Sequence, residues 1–328
     1  MRLEAGYNRP LRCGLFTLLS MMNMKLVLHI GPHKTGTTSL QTVMCQTFAK
    51  SKSNALWYPP PPEYGPGHAA LAWEIIGESD PQGAMTLLEQ ALAEGEKARV
   101  STLVLSSEEL TRVPAKRLHV LHKLLGGISL ELVITLSPFK RRVVSTWQER
   151  LKTRLTEDLD DSVPDLLAMQ PGLGTEFFRA YKNVLKPYRT WILVPPRTAF
   201  PEWLLNEFWS VLVNVNPTLQ VSPPWQSDTV RNRSLGAVEA TLLMEMNRSF
   251  ERLGALDSRL DYLRLRRLFL DMFRSPRWSE TIPHIPLKLS EKWTPLVEHH
   301  AEMQYQCVVE LAKSSDVKVL GDLDAIRH

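Results

Sequence analysis

HIGPHKTGTTSLQ, residues 29–41, is the stretch that decides the fold. Its first two residues end the apolar run KLVLHI, which predicts a buried strand over residues 25–30. Its last two residues begin a pattern in which apolar side chains from Leu40 to Phe48 share one face of a helix. A glycine-rich turn between a strand and a helix N-terminus presents backbone N–H groups to an anion, and the helix dipole adds to the attraction. The sequence therefore predicts that this turn binds an anion.

The rest of the chain alternates short apolar runs with helical patterns. Further strands are predicted at residues 101–107, 130–136 and 190–196, with short ones at 55–59 and in the tail VKVLGDLDAI. Near-continuous apolar strands that alternate with helices are typical of a parallel sheet covered on both faces. The predicted class is α/β, a three-layer α/β/α fold like that of P-loop NTPases, with a helix-rich part from about residue 201. Right-handed crossovers place the loops after the strands at one edge of the sheet, where ligands bind.

The amino-acid composition of the chain excludes some classes of function. Of 328 residues, 44% are hydrophobic and 23% charged, which indicates a globular protein with a sizeable core. The net charge of +4 is too small to indicate a nucleic-acid partner, although it suits an anionic ligand. The three cysteines, Cys13, Cys45 and Cys307, show no close pairing. Their spacing favours a reducing compartment, so we expect a cytoplasmic protein without a disulfide framework or a zinc site.

The first 23 residues are interpreted as a dispensable N-terminal extension, because the strand that opens the fold begins directly after Met24. The apolar run from Cys13 to Met22 is too short to span a bilayer. We therefore expect no integral membrane segment and assign residues 24–328 to one domain. An extra helix packed on that domain is the alternative.

The loop departs from the Walker A pattern of nucleoside triphosphatases. That pattern, G-x-x-x-x-G-K-[ST], requires a lysine directly after its second glycine. Gly31 and Gly36 have the required separation, but Lys34 precedes Gly36 by two positions. Thr37 and Thr38 stand where the Lys-Ser/Thr pair is expected. The lysine therefore comes from within the loop.

The segment KTGTTSL, residues 34–40, resembles the 5′-phosphosulfate loop of sulfotransferases that use 3′-phosphoadenosine 5′-phosphosulfate (PAPS). It matches their pattern K-[TS]-G-T-[TS]-x-L at every position. The resemblance implies that Lys34 is catalytic and contacts the bridging and sulfuryl oxygens of the donor. Fixed donors and one cation suit an in-line displacement, so no magnesium or other metal is expected. The resemblance also implies that the donor is bound by the whole loop: Pro32, His33, Lys34, Thr35, Gly36, Thr37, Thr38 and Ser39.

In the same family, an arginine at the end of a central strand and a serine eight residues later hold the 3′-phosphate. Ser145, followed by Trp147, matches that serine. Ser137 stands where the arginine is expected, which is a departure from the family pattern. With Pro138, Ser137 instead predicts the N-cap and the first turn of a helix.

Two arginines on this predicted helix are candidates to replace the missing one. At about 100° per residue, Arg141 lies about 40° and Arg142 about 60° from Ser145. We therefore predict that Ser145 and Arg141 bind the 3′-phosphate, with Arg142 or Lys140 in support. The alternative is that these residues are solvated charges without a ligand.

The acceptor must lose a proton as it attacks sulfur, and a positioned Glu or His normally takes that proton. SSEEL, residues 106–110, ends a predicted strand and resembles the segment where related bacterial sulfotransferases carry a Ser-Glu pair. Glu108 is therefore the first candidate for the catalytic base, and Glu109 is expected to turn away. His68, in GPGHAALAW, is the second candidate. A purely structural role stays open for each of these residues.

The sequence thus predicts a sulfotransferase that moves a sulfuryl group from PAPS to a hydroxyl or amine of a small molecule or glycan. Two alternatives stay open. One is a P-loop phosphotransferase or kinase. The other is a nucleotide-binding relative that has lost transfer activity, which Ser137 makes credible.

Overall fold

The computed structural model of the chain describes residues 24–49, 55–61, 65–77, 82–125, 127–168, 175–196, 200–220, 223, 234–253 and 259–327. The predicted N-terminal extension, residues 1–23, lies outside these ranges. Within them, the chain forms one sheet surrounded by helices.

The described strands form one parallel sheet in the order β2-β1-β3-β4-β5. They are β1 (Lys25–Ile30), β2 (Thr102–Ser106), β3 (Ser129–Thr135), β4 (Arg189–Val194) and β5 (Val317–Gly321). The predicted α/β class and parallel sheet are confirmed, and the tail supplies the edge strand β5. The stretch predicted as a strand at 55–59 contributes a single parallel bridge, between Trp57 and Leu103.

Helices account for most of the remaining described chain. They are α1 (Thr37–Phe48), α2 (Ala69–Ile76), α3 (Gln82–Lys97), α4 (Leu118–Leu124), α5 (Phe139–Thr153), α6 (Leu159–Ala168), α7 (Thr175–Leu185), α8 (Phe200–Val215), α9 (Ala237–Arg252), α10 (Arg259–Arg274), α11 (Pro276–Thr281) and α12 (Thr294–Ala312). The run from α8 to α12 confirms the predicted helix-rich C-terminal part. None of the described helices combines the length and the apolar character that a bilayer span requires.

Different helices cover the two faces of the sheet, because side chains along a strand alternate between the faces. Leu26, Leu28 and Ile30 of β1 lie in a buried cluster with residues of α2, α3, α4 and α7. Val27 lies in the opposite cluster, with residues of α1 and α8. The arrangement is the predicted three-layer fold, and it packs α1, which follows the loop, directly on the sheet.

Helix α5 belongs to a third apolar cluster, which it shares with α6, α9, α10 and α12. Its predicted apolar stripe is buried at every position: Phe139, Val143, Trp147 and Leu151. Side chains of two later helices bind the carbonyl groups at its C-terminal end, which have no partner within the helix. Asn247 Nδ2 donates to Leu151 O at 2.8 Å, and Arg266 Nη1 donates to Lys152 O. These contacts fix the C-terminal end of α5 to α9 and α10.

Gly321, at the end of β5, lies where the edge strand packs closely against Val194 and Trp203. Its φ is 101°. A Cβ at this position would clash with Val194 O and would lie 2.7 Å from the ring of Trp203. We predict that Gly321→Ala lowers the free energy of unfolding by about 3 kcal/mol, because backbone strain and overpacking add. Urea unfolding followed by tryptophan fluorescence measures the change.

Gly127→Ala is the matched control. Gly127 also has a positive φ, 84°, but no atom of the described chain lies within 4 Å of the position that a Cβ would take there. This substitution should lower the free energy of unfolding by only about 1 kcal/mol. Equal losses in the two variants would contradict the close approach of β5 to Val194 and Trp203.

Candidate anion-binding site

Two left-handed backbone positions shape the loop between β1 and α1. Lys34 has a φ of 68°, and Gly36, directly before α1, has a φ of 81°. This conformation is unfavourable for a residue with a side chain, and it concentrates at functional sites. Two hydrogen bonds hold the loop in this shape: Thr35 Oγ1 donates to Pro32 O at 2.8 Å, and Ser137 Oγ donates to Lys34 O at 3.3 Å.

The loop lies directly against the end of β3. A Cβ on Gly31 would lie 2.8 Å from Thr135 O and 2.9 Å from Thr35 Oγ1. A residue without a side chain is therefore needed where the loop leaves β1.

Ser137 has a different role from the one expected. The N-cap of α5 is Pro138, and no side chain among the described residues caps this helix. The prediction that Ser137 caps α5 is therefore wrong. Its hydroxyl group donates a hydrogen bond to the carbonyl oxygen of Lys34 instead. Ser137 is fully buried and uncharged, so it supplies no cation to a phosphate.

The start of α1 offers hydrogen-bond donors. Among the described residues, no side chain caps this helix at Gly36. The N–H of Ser39 donates to Gly36 O at 3.2 Å, whereas those of Thr37 and Thr38 lack intrahelical partners. Thr38 is exposed and Ser39 is half-buried. Neither hydroxyl group has a partner within the described part of the chain. These groups, together with the helix dipole, are the features that attract an anion to a helix N-terminus.

The ammonium group of Lys34 forms an ion pair with Glu149 of α5, at an Nζ–Oε2 distance of 3.0 Å. Lys152 Nζ lies 3.4 Å from the same oxygen. The backbone of Lys34 meets Ser137, just before α5, and its ammonium meets Glu149, so the side chain runs along this helix. The Lys34 side chain is 30% exposed, and its ion pair with Glu149 is at the surface. We call the region between the loop and α5 that this ion pair bridges the crevice.

The same face of α5 carries the residues predicted to bind the 3′-phosphate. Arg141, Ser145 and Glu149 are spaced four residues apart and therefore share one side of the helix. Because Glu149 contacts Lys34, that side is turned toward the loop. Ser145 is half-buried and Arg141 is exposed. Arg142 is fully buried against Gln304 of α12, where a phosphate in the crevice does not reach it.

His33 lies between two carboxylates that follow β2. Its Nδ1 is 3.2 Å from Glu108 Oε1, and its Nε2 is 3.2 Å from Glu109 Oε1. The hydrogen bonds to Glu108 and then to Glu109 raise the pKa of His33 to about 9, although burial opposes the rise. His33 is therefore a cation at neutral pH. Glu109 points into the site, whereas the sequence analysis expected it to turn away.

Glu108 joins this cluster to the loop. Thr37 Oγ1 donates a hydrogen bond to Glu108 Oε2 at 2.7 Å. Burial raises the pKa of Glu108, but the hydrogen bonds from His33 and Thr37 and the charges of His33 and Lys34 outweigh burial and lower it. Glu108 is consequently an ionised carboxylate beside the loop, able to accept a proton, although its lowered pKa makes it a weaker base than a carboxylate whose pKa lies near neutral.

His68 lies near the same edge but is held by the backbone. The Ser106 N–H donates to His68 Nδ1 at 3.0 Å, so the proton is on Nε2, which lies 3.1 Å from Pro59 O. Burial lowers the pKa of His68 to about 4, although contacts with the carbonyl groups of Pro59 and Ser106 oppose the shift. Both ring nitrogens are thus engaged, and the structure does not bring His68 together with Lys34 or Glu108. Its role as a second base stays a prediction.

His29, which the sequence did not indicate as a site residue, has a ring that joins three strands beneath the loop. His29 Nδ1 lies 2.8 Å from Ser106 Oγ on β2, and Nε2 lies 2.8 Å from Thr135 Oγ1 on β3. Gln41 of α1 donates to Ser106 Oγ at 3.1 Å. Burial lowers the pKa of His29 to about 3, so the ring is neutral. The signal available in the sequence was a lone polar residue near the end of an apolar strand.

The cluster of His33, Glu108 and Glu109 also offers metal-ligand atoms. One such atom from each residue lies within 4.8 Å of the others. Imidazole nitrogen and carboxylate oxygen are ligands for several divalent metals. In the structure, the ring nitrogens of His33 are paired with the carboxylates of Glu108 and Glu109. Whether the site binds a metal is not tested by this pairing, so the expectation of a metal-free site stays a prediction.

Comparisons with known proteins assign no family to this chain. A scan against models of protein families found no match, and searches of curated proteins and of solved structures found none either. The chemistry of the site must therefore be argued from its own residues.

The charge on His33 is directly measurable. We predict that its imidazole titrates near pH 9 in NMR spectra, because both ring nitrogens face carboxylates. Since the pKa is raised in the folded protein, the stabilisation that His33 contributes is complete below about pH 6.5 and is lost as the pH rises through about 9.

Glu108→Gln should lower the pKa of His33 more than the matched variant Glu109→Gln, because the hydrogen bond to Glu108 is the larger cause of the shift. The spectra are recorded with a metal chelator present. A wild-type titration near pH 6.5 would contradict the ion-paired cluster.

Glu149 competes with any anion for Lys34. We predict that Glu149→Gln strengthens the binding of inorganic pyrophosphate by about three- to tenfold, because it frees the ammonium and removes a nearby negative charge. Isothermal titration calorimetry measures the affinity. Glu245→Gln is the control, since Glu245 is a similarly exposed carboxylate paired with Arg248 on α9. An equal gain in both variants would show a general charge effect and would rule out specific competition at Lys34.

Proposed function

We propose that this protein is a sulfotransferase that moves the sulfuryl group of PAPS to a hydroxyl or amine of a small-molecule or glycan acceptor. The observation that carries the proposal is the position of the Lys34 ammonium. It is paired with Glu149 of α5, and Lys34 itself lies in the loop two residues before Gly36, where α1 begins without a side-chain cap from the described residues. One cation at a helix N-terminus is suited to a phosphosulfate group.

The described residues fit such a donor in two places. The first turn of α1 and the hydroxyl groups of Thr38 and Ser39 supply donors for the 5′-phosphate. Arg141 and Ser145 lie on the face of α5 that is turned to the loop, and they are assigned the 3′-phosphate. Donor binding requires Lys34 to leave Glu149, because the ammonium is paired with that carboxylate.

The proposed reaction is a single in-line displacement. The acceptor oxygen or nitrogen forms a bond to sulfur while the bond between sulfur and the bridging phosphate oxygen breaks. The electron pair of the broken bond stays with 3′-phosphoadenosine 5′-phosphate (PAP), where Lys34 stabilises the developing charge. The proton of the acceptor passes to Glu108, which is ionised and is fixed by Thr37 and His33.

A metal-dependent phosphotransferase is the second candidate. The observation in its favour is the contact between Thr37 and Glu108 next to His33 and Glu109. A loop hydroxyl and an acidic residue after a neighbouring strand are the parts that hold Mg²⁺ in P-loop NTPases. The position of Lys34 within the loop, before Gly36, disfavours this candidate.

Calorimetric titration with PAP and with Mg²⁺–ATP separates the two functions. We predict that the wild-type protein binds PAP without added metal and that it binds Mg²⁺–ATP more weakly. Lys34→Ala should weaken the binding of PAP by roughly 10- to 100-fold, as expected for the loss of a charged hydrogen bond to phosphate.

Lys152→Ala is the matched control, because Lys152 contacts the same oxygen of Glu149 but lies on α5, outside the loop. It should change the affinity for PAP by no more than about twofold. Binding of Mg²⁺–ATP without binding of PAP would overturn the proposal and favour the phosphotransferase. PAP binding without any conversion of PAPS in a panel of hydroxyl and amine acceptors would instead indicate the inactive relative.

A further inference from the structure

Arg142 of α5 is a buried cation that has no acidic partner in the part of the chain that the structure describes. Its side chain has no exposed surface, and its Nε and Nη1 atoms form no hydrogen bond with the described residues. Burial lowers its pKa to about 9, and no charge among the described residues opposes that effect. An uncompensated buried guanidinium is strongly unfavourable in a protein interior.

The contacts of Arg142 are to neutral groups. Nη2 lies 3.3 Å from Gln304 Oε1 on α12, and the guanidinium carbon lies 5.2 Å from the centre of the Phe139 ring. Gln304 is itself fully buried, and its Nε2 also lacks a hydrogen-bond partner among the described residues. The buried pair therefore presents three unsatisfied donor atoms and one positive charge.

We propose that a small monovalent anion, such as chloride, binds between α5 and α12 at Arg142 and Gln304. An anion accepts hydrogen bonds from Nε or Nη1 of Arg142 and from Nε2 of Gln304, and it neutralises the guanidinium. A buried water molecule also accepts hydrogen bonds but leaves the charge uncompensated. Phe139, which lies against the guanidinium, and the apolar cluster that α5 shares with α12 favour a weakly hydrated ion over a larger, multiply charged one.

This site is separate from the loop, and the inference does not rest on the proposed reaction. Arg142 and Gln304 are 162 positions apart in the chain, so an anion between them ties α5 to the C-terminal helix α12. Helix α5 also carries Ser145 and Glu149. The anion therefore stabilises the helix that forms one wall of the crevice.

Thermal unfolding in two sodium salts tests the proposal. We expect the melting temperature of the full chain in sodium chloride to exceed that in sodium gluconate at equal ionic strength, by roughly 3–6 °C at saturating chloride. Lys34→Ala should keep this difference, because the loop is a different site. Arg267→Met should also keep it, because Arg267 is an 85% exposed arginine on α10.

Two substitutions at the site should abolish the chloride effect. Arg142→Met removes the charge and keeps a long apolar side chain. Gln304→Glu supplies an internal carboxylate in place of the anion, so its melting temperature in gluconate should equal or exceed that of the wild-type protein in chloride. This second variant keeps the test decisive if Arg142→Met does not fold.

The proposal is overturned if the wild-type melting temperature is the same in both salts, or if the chloride effect survives in Gln304→Glu. Either result would assign the unsatisfied donors to water. Crystals grown in sodium bromide give a direct check, since an anomalous peak is expected within hydrogen-bond distance of Arg142 Nε or Nη1. An anomalous map with bromide only elsewhere in the molecule would also count against the site.

Discussion

The candidate site depends on the two hydrogen bonds of the His29 ring, which link β1 to its neighbours β2 and β3. The two ring nitrogens bind hydroxyl groups of β2 and β3, so the carboxyl ends of the neighbouring strands β2, β1 and β3 are linked to one another. The loop with Lys34 follows β1, Glu108 follows β2, and α5 follows β3. This neutral, buried imidazole therefore adds to the backbone hydrogen bonds of β1 with β2 and β3 in positioning these three segments relative to one another. Its polar partners are satisfied, which is the condition under which a buried polar network adds rigidity.

The charges at the sheet edge are arranged in opposing pairs. Lys34 faces Glu149, while His33 faces Glu108 and Glu109. The pairs of His33 are half-buried, whereas the pair of Lys34 and Glu149 lies at the surface. A ligand that enters this crevice must exchange one of these pairs for its own contacts. Selectivity for an anion therefore depends on how readily Glu149 releases Lys34.

The spacing of apolar residues within short segments was enough to predict the parts of the fold that residues close in sequence determine. The strand, loop and helix around Gly36, the parallel sheet and the buried stripe of α5 all follow from periodicity within short windows. Contacts between distant segments were not predictable in this way. Helical angles placed Arg142 near Ser145, but they carry no information about α12, which covers Arg142. The partners of Ser137, Glu109 and Lys34 were likewise invisible, because each depends on how separate elements pack.

The late position of α12 has a consequence for biosynthesis. Gln304 follows Arg142 by 162 positions, and β5 lies still further along the chain. At roughly 5–20 residues per second, a ribosome needs roughly 8–30 seconds to make that interval. During this time α5 lacks its cover and β4 lacks its outer neighbour, so the nascent chain exposes an apolar helix face and an open strand edge. Chaperones that shield such surfaces are expected to bind before residue 317 leaves the exit tunnel.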